Sequence, residues 1–413
     1  MDVRARKQYL ESLIGRYLKS RKLHKGLVLD EICRNTGQNR KYVIRKLSDL
    51  AAGRTRLPKK RRPYYGRDVV RGLELLWTIF DFPCGQRLRP LIETELTRLR
   101  NLGEISLSDT TAAKLSAISP STIDRLLRPK KRVWKAGRRY RSASTGLLAK
   151  KIPLRMGEWK NVCVGQVDMD LVLHCGSSTA GEYGHSLSTV DILSQWWEGE
   201  VVMGRGQARI FNAIKDIEER SPFSWRLIHS DNDNAFINHM LYDYAEAHQK
   251  GFTRSRPYRK NDNAYIEQKN FTHIRKPLGY LRYDTPAELE IIADLYRNEL
   301  RLYKNFFQPV MKLIRKHRVD GRLQRLYDVP KTPYQRLLES GQISNEKSHQ
   351  LQQLYQALNP ADLKRRIDDK LAKRYDLFKK KKKNNLLVNP YKKLEPSMVT
   401  FSMTQQPNFR LPV

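Results

Sequence analysis

The segment "NVCVGQVDMDLVLHC", residues 161–175, decides how the chain is to be read. Its β-rich composition marks a strand, and along a strand Asp168 and Asp170 point to the same face. "YGHSLSTVDI" (183–192) and "QWWEGEVVM" (195–203) follow as further strands divided by turns, so three antiparallel strands are expected. Trp196 and Trp197 read as strand and core aromatics. Next come a helix near 207–219 with Phe211, Ile214 and Ile217 on one face, and a strand in "WRLIHS" (225–230). A helix near 235–249, a strand in "GFTRS" (251–255), a basic loop "RPYRKND" (256–262) and a helix from about 263 complete the run. The order is β-β-β-α-β-α-β-α, followed by a long helix near 286–306 marked by Leu289, Ile292, Tyr296, Leu300 and Tyr303.

Three acids stand out on these elements. Asp170 lies on the first strand, Asp231 just beyond the end of "WRLIHS", and Glu267 in the first turns of the helix after the basic loop. Carboxylates at adjacent strand ends and on a flanking helix can converge on one patch. In-line cleavage or joining of a phosphodiester needs an activated oxygen nucleophile and relief of charge on the leaving oxygen, which two divalent ions can supply. Mg²⁺ takes oxygen ligands and few of them from protein, so three or four carboxylates suffice. Thirty-five residues separate Asp231 from Glu267.

That spacing, with the blocks "DLVLHCG" (170–176), "SDNDNAFIN" (230–238), "FTRSRPYRKNDNAYIEQKN" (252–270), "GYLRYD" (279–284), "LYKNFFQP" (302–309) and "TPYQRLL" (332–338), resembles bacterial insertion-sequence transposases with a retroviral-integrase-like core. The resemblance implies an RNase H-like α/β core with a mixed five-stranded sheet. It also implies a DDE triad of Asp170, Asp231 and Glu267 holding two Mg²⁺ or Mn²⁺ ions, and transposition by freeing a 3′-OH and joining it to target DNA. Asp168 matches an often acidic position two residues before the first aspartate and stays a second candidate for metal. Where the family commonly reads Asp-Asn-Gly with a glutamate two residues later, this chain has Asp233 and Ala235, which makes Asp233 an additional ligand or a stray charge.

The charge balance points to the same partner. The 413 residues carry 79 Lys plus Arg against 43 Asp plus Glu, a net charge of +36. Such an excess repels itself unless a polyanion neutralises it, and nucleic acid releases counterions on doing so. Arg254, Arg256, Arg259, Lys260 and Lys269 are expected to hold the phosphates of the strand being cut, with Pro257 and Tyr258 shaping the loop and Asn263 orienting a ligand or the DNA. No apolar run of about 18 residues is present, and none resembling a signal follows Met1, so a soluble intracellular protein is expected. The family resemblance implies a prokaryotic cytoplasmic, nucleoid-associated location and a dimer or larger homo-oligomer on DNA. The four cysteines form no CxxC pair, and His174, Cys175 and His185 lack a second close pair to complete a zinc site.

Before the core, residues 27–50 read as two helices joined at "NTGQN", with Leu29, Ile32, Val43, Ile44 and Leu47 facing inward. In this helix-turn-helix pattern Gln38, Asn39, Arg40, Lys41 and Arg45 fall near the exposed start of the second helix, where base edges and phosphates are met. A second such unit ends in "DTTAAKLSAISPSTIDRLLR" (109–128), with Ser119 as N-cap, Pro120 at the first helical position and Ile123, Leu126 and Leu127 buried. The expected organisation is multidomain α and α/β. It comprises a helix-turn-helix domain over 1–53, a basic linker 54–66, a second helical DNA-binding domain 67–130, a basic linker 131–158, the catalytic core 159–306, and a basic, largely helical C-terminal region with a tail, 307–413. Two rival readings are an RNase H-like metal-dependent nuclease that does not join ends, and a non-catalytic DNA-binding regulator.

Overall fold

In this computed structural model, residues 1–53, 64–134, 162–256, 264–319 and 322–381 are described. The contacts divide the chain into two compact units, Met1–Tyr64 and Tyr65–Val413.

The first unit holds α1 (Val3–Lys19), α2 (Lys22–Thr36) and α3 (Arg40–Ala51) around Leu10, Val28, Leu29, Ile32, Val43 and Leu47. Gly37, at φ 67°, ends α2 in the left-handed region, where the missing Cβ removes the clash. Two residues later the Asn39 side chain accepts from the Lys41 N–H at 3.0 Å and starts α3. The two helices and their turn are therefore as expected, but Ile44 is 41% exposed because Val43 and Leu47 already fill the inward face. The preceding helix α1 was not expected.

The second unit is built on a five-stranded sheet of β1 (Gln166–Leu173), β2 (Gly184–Asp191), β3 (Trp197–Met203), β4 (Leu227–Ser230) and β5 (Gly251–Arg254). Its strand order is β3-β2-β1-β4-β5; β2 runs antiparallel to β1 and β3, while β1, β4 and β5 are parallel to one another. This is the mixed five-stranded sheet that was expected. Alternation sorts β1 cleanly: Val167, Met169 and Leu171 pack with Ile210, Ile214 and Ile217 of α8 (Gln207–Arg220) and Leu241 of α9 (His239–Ala247). Val172, on the aspartate face, belongs to a second core formed with later helices.

That second core extends well beyond the sheet. It joins Trp196 and Trp197 to α4 (Arg67–Ile79), α5 (Gly85–Asn101), α6 (Asp109–Ser116) and α7 (Pro120–Trp134), and also to helices that follow the sheet. The stretch read as a second DNA-binding domain, and the C-terminal helices, thus share one hydrophobic interior with the sheet. Burial pushes the Asp81 carboxyl upward, yet the adjacent Lys276 and Lys304 ammonium groups hold it down at about 2. Ser119 starts α7 as expected, accepting from the Thr122 N–H at 3.3 Å; Ile123 and Leu127 are buried and Leu126 is half-buried.

After the sheet, α10 (Ala264–Lys269) runs through a π-helical stretch, Asn270–Arg275, into the short α11 (Lys276–Leu278). The expected helix at 286–306 is likewise interrupted: α12 (Pro286–Leu295) and α13 (Arg301–Phe307) flank a π-helical stretch, Tyr296–Leu300. Its Tyr296 hydroxyl lies 2.8 Å from Ser186 Oγ on β2. A hairpin of β6 (Leu313–Val319) and β7 (Arg322–Tyr327) follows, which a largely helical C-terminal region did not anticipate. Then come α14 (Pro333–Glu339), α15 (Asn345–Ala357) and α16 (Pro360–Lys381), whose buried Arg374 donates to the Leu278 carbonyl at 3.0 Å. Most of the first linker and residues 135–158 of the second lie outside the described residues.

β3 is an edge strand, and α13 closes that edge. Asn305, fully buried, accepts from the Trp197 N–H and donates to its carbonyl, both at 2.8 Å. Leaving two buried backbone groups unpaired costs on the order of 2–4 kcal/mol. Asn305→Ala should therefore lower the denaturant midpoint of the sheet-containing unit without changing the helix content seen by circular dichroism. An unchanged midpoint would show that the edge is held by other contacts.

Candidate active site

β1 and β4 are parallel neighbours with Met169 opposite Ser230, so the next residue on each, Asp170 within β1 and Asp231 just past β4, come side by side where β4 ends. Asp170 Oδ1 accepts the Leu171 N–H at 2.8 Å, and its Oδ2 accepts from Asn270 Nδ2 at 2.6 Å. Asp231 Oδ1 accepts the Asp233 N–H at 2.9 Å. Asp168, two residues further into the sheet and opposite His229, is fully buried, whereas Asp170 is partly exposed.

Glu267 is exposed on α10, one helical turn before Asn270. Residues three apart share a helix face. The Asn270–Asp170 hydrogen bond therefore brings the Glu267 helix to the aspartates. Among the described residues, no three His, Cys, Asp or Glu side chains are gathered into a set that would hold a metal ion. Two aspartates come together; Glu267 does not complete a cage with them as the side chains stand.

Electrostatically the aspartate pair is under load. Burial, and next the charge of Asp231, push the Asp170 carboxyl up to about 8, against the hydrogen bonds from Leu171 and Asn270. Burial also pushes Asp231 up to about 6; the Asp233 N–H bond and Arg205 oppose this, and the Asp233 charge adds to it. Like charges in a partly buried place disfavour ionisation, and a bound cation reverses that preference. The oxygen-only donor set and its unfavourable charge fit a hard divalent ion.

Asp233, the residue where this chain departs from its resemblance, is held elsewhere. Both its carboxylate oxygens take hydrogen bonds from Arg205 Nη2, and Oδ1 also caps the Ala235 N–H at 2.9 Å. It shapes the turn around Asp231 and is ion-paired with Arg205, while its charge still adds to the load on Asp231.

Two of the expected DNA contacts are corrected. Arg254 is buried, donates to Asn232 Oδ1 at 2.8 Å, and has its pKa lowered by burial. Lys269 is 1% exposed, and burial first, then the nearby charges of Arg87 and Lys304, bring it down to about 7. Neither presents a charge to phosphate; both fall inside because the loop's last strand residue and the helix's inner face turn toward the core. Arg256 is partly exposed, while Pro257, Tyr258, Arg259, Lys260 and Asn263 lie outside the described residues. In the first unit Lys41 and Arg45 are exposed, Gln38 is half-buried, Asn39 is spent on its cap, and Arg40 pairs with Asp30. His174 shares a hydrogen bond with Ser186 and His185 with the Tyr183 carbonyl, so both have structural partners.

Asn270, which holds Asp170, and Arg205, which pairs with Asp233, are parts of this arrangement that the sequence did not reveal. The spacing of Asn270, three residues after Glu267 on one helix, was the available signal; Arg205 offered none.

No protein-family model matches the chain. The "Uncharacterized protein y4rM" of Sinorhizobium fredii (strain NBRC 101917 / NGR234) is 33% identical over 340 residues, covering 81% of this chain and 96% of that protein. The chain belongs to the same family as this rhizobial protein. Its alignment with that relative is near full length for the latter. Among solved structures, the catalytic core domain of BIV integrase is similar at 16% identity with a TM-score of 0.29, over 43% of this chain and 95% of that one. The strand order and hydrogen bonds described above, and not this similarity, define the fold and the site.

A carboxyl whose pKa is raised on folding binds its proton more tightly in the folded state than in the unfolded one. Its contribution is then favourable at low pH and is lost as pH rises from the ordinary carboxylate range through the raised value. Metal-free protein should accordingly melt at progressively lower temperature between pH 5 and about 8. Asp170→Asn should flatten that slope, and a wild-type melting temperature independent of pH over this range would contradict the electrostatic reading.

Proposed function

We propose that the protein is a DDE-type DNA strand-transfer enzyme, a transposase or integrase that joins a freed 3′-OH to target DNA. The observation that supports this best is the juxtaposition of Asp170, within β1, and Asp231, just past the end of the parallel strand β4, with the Glu267 helix tied to Asp170 through Asn270. Two divalent ions, Mg²⁺ or Mn²⁺, held by Asp170, Asp231 and Glu267 would supply activation of the attacking oxygen and relief of charge on the leaving oxygen.

The chain's own groups prepare the place. Asn270 fixes the Asp170 carboxylate, the Asp233 N–H orients Asp231, and Arg205 holds Asp233 in an ion pair that offsets part of its charge. In joining, a bond forms between the 3′-oxygen and the target phosphorus while the phosphorus bond to the target's own 3′-oxygen breaks, leaving that strand with a new 3′-OH. No covalent enzyme intermediate is needed. Double-stranded DNA, both element ends and target, is the partner, and a dimer or larger assembly would hold paired ends. The exposed Lys41 and Arg45 of α3 suit end recognition. Among the described residues no helix is long and apolar enough to cross a membrane.

An in vitro assay that mixes labelled candidate ends with target plasmid in Mn²⁺ tests this. Wild type should give joined product, while Asp170→Asn, Asp231→Asn and Glu267→Gln should each lower joining by at least 10³-fold, on the order expected for loss of a group acting in the transition state. End binding should persist in all three. Cleaved but unjoined ends would assign the protein to nucleases, and full joining by any variant would remove that residue from the site.

A further inference from the structure

The hairpin of β6 and β7 is an arm rather than part of a packed layer. Leu313, Ile314, Leu326 and Tyr327 are all exposed, as are Arg315, Arg318 and Arg325. Its base is clamped: the Lys312 N–H donates to Asp328 Oδ1 at 2.6 Å, Arg336 pairs with Asp328 at 2.7 Å, and Val310 bridges Lys331. Each strand would reach about 20 Å from that base at ~3.3 Å per residue.

The charges decide what such an arm meets. Neither strand contains an acidic residue. The register places Lys316 opposite Arg325 and Arg318 opposite Leu323, so Arg318 and Arg325 share one face, while Arg315, opposite Leu326, lies on the other. A ribbon that lay flat on a protein would carry its contacts on one face. Cations on both faces suit a slot with negative walls on either side, and the major groove of duplex DNA is wide enough for a two-stranded ribbon.

We infer that the β6–β7 ribbon is a groove-inserted DNA contact, separate from the acidic site, in which Arg315, Arg318 and Arg325 meet phosphates of both strands. The partner rests on the reading of the chain as a DNA strand-transfer enzyme. Phosphate contacts of this kind position the protein and carry no base information, so the contribution is independent of sequence.

The test uses the full chain carrying R315Q, R318Q and R325Q together. Binding to a duplex of about 40 base pairs and arbitrary sequence is followed by fluorescence anisotropy in EDTA across a KCl series. Each phosphate contact contributes about 0.9 to the slope of log affinity against log salt. The triple variant should bind about ten-fold or more weakly and show a slope shallower by about two to three, equally on unrelated sequences, with the wild-type melting curve and the wild-type mass by light scattering. Wild-type affinity and slope in the variant would overturn the assignment, and so would a smaller assembly with unaltered DNA affinity, which would make the ribbon's partner a second copy of the chain. Failure of the ribbon alone leaves wild-type DNA binding and joining intact, whereas a wild type that neither binds nor joins DNA would sink the underlying reading.

Discussion

Two carboxylates are forced together by the pairing of β1 with β4. The register that sets Met169 beside Ser230 leaves Asp170 and Asp231 no choice of neighbour. Their mutual repulsion and burial make the arrangement electrostatically unfavourable, which a fold tolerates only where other packing over-determines it. That packing is extensive here: α8 and α9 cover one face of the sheet, and a second core running from Val69 to Leu371 covers the other. The unfavourable electrostatics of the acidic pair is therefore set between two packed layers.

The excess positive charge divides into two populations. Some cations are structural. Lys276 and Lys304 compensate Asp81; Lys364 pairs with Asp368; Arg220 and Arg301 neutralise Glu198 on β3. Lys269 and Arg254 belong to this buried group despite their place beside the basic loop. Other cations are exposed, among them Lys41 and Arg45 on α3 and the arginines of the β6–β7 ribbon. Among the described residues, this second population is the one placed to meet a polyanion, so net charge by itself does not locate the contacts.

How much was legible follows from the same physics. All five core strands were readable because their β-rich runs sit between turn signals, and the alternation of Asp168 and Asp170 along one strand is enough to place both acids on one face. Asp231 and Glu267 stand out by chemistry and spacing. The β6–β7 ribbon was missed because its strands are mostly cationic and polar, and the side chains described in it form no buried face to impose a period-two pattern. Lys269 was misread because burial of a lysine depends on which side of a helix meets the core, which the residue type contradicts. The sharing of one interior by α4–α7 and the sheet was invisible because an amphipathic helix shows that it has an apolar face, not what covers it. Asn270 escaped because charge is what marks a ligand in a sequence, whereas an uncharged amide that holds a ligand in place carries no such mark.

Titration calorimetry of Mn²⁺ into the metal-free protein at pH 7, in two buffers of different ionisation enthalpy, tests the central claim most directly. With Asp170 protonated up to about pH 8, a bound divalent ion must displace that proton. Binding should occur with release of about one proton per chain, read as a heat that differs between the buffers, and Asp170→Asn should abolish both. Absence of binding, or binding of equal strength and equal buffer dependence in the variant, would contradict the assignment of this acidic pair as the metal-holding centre.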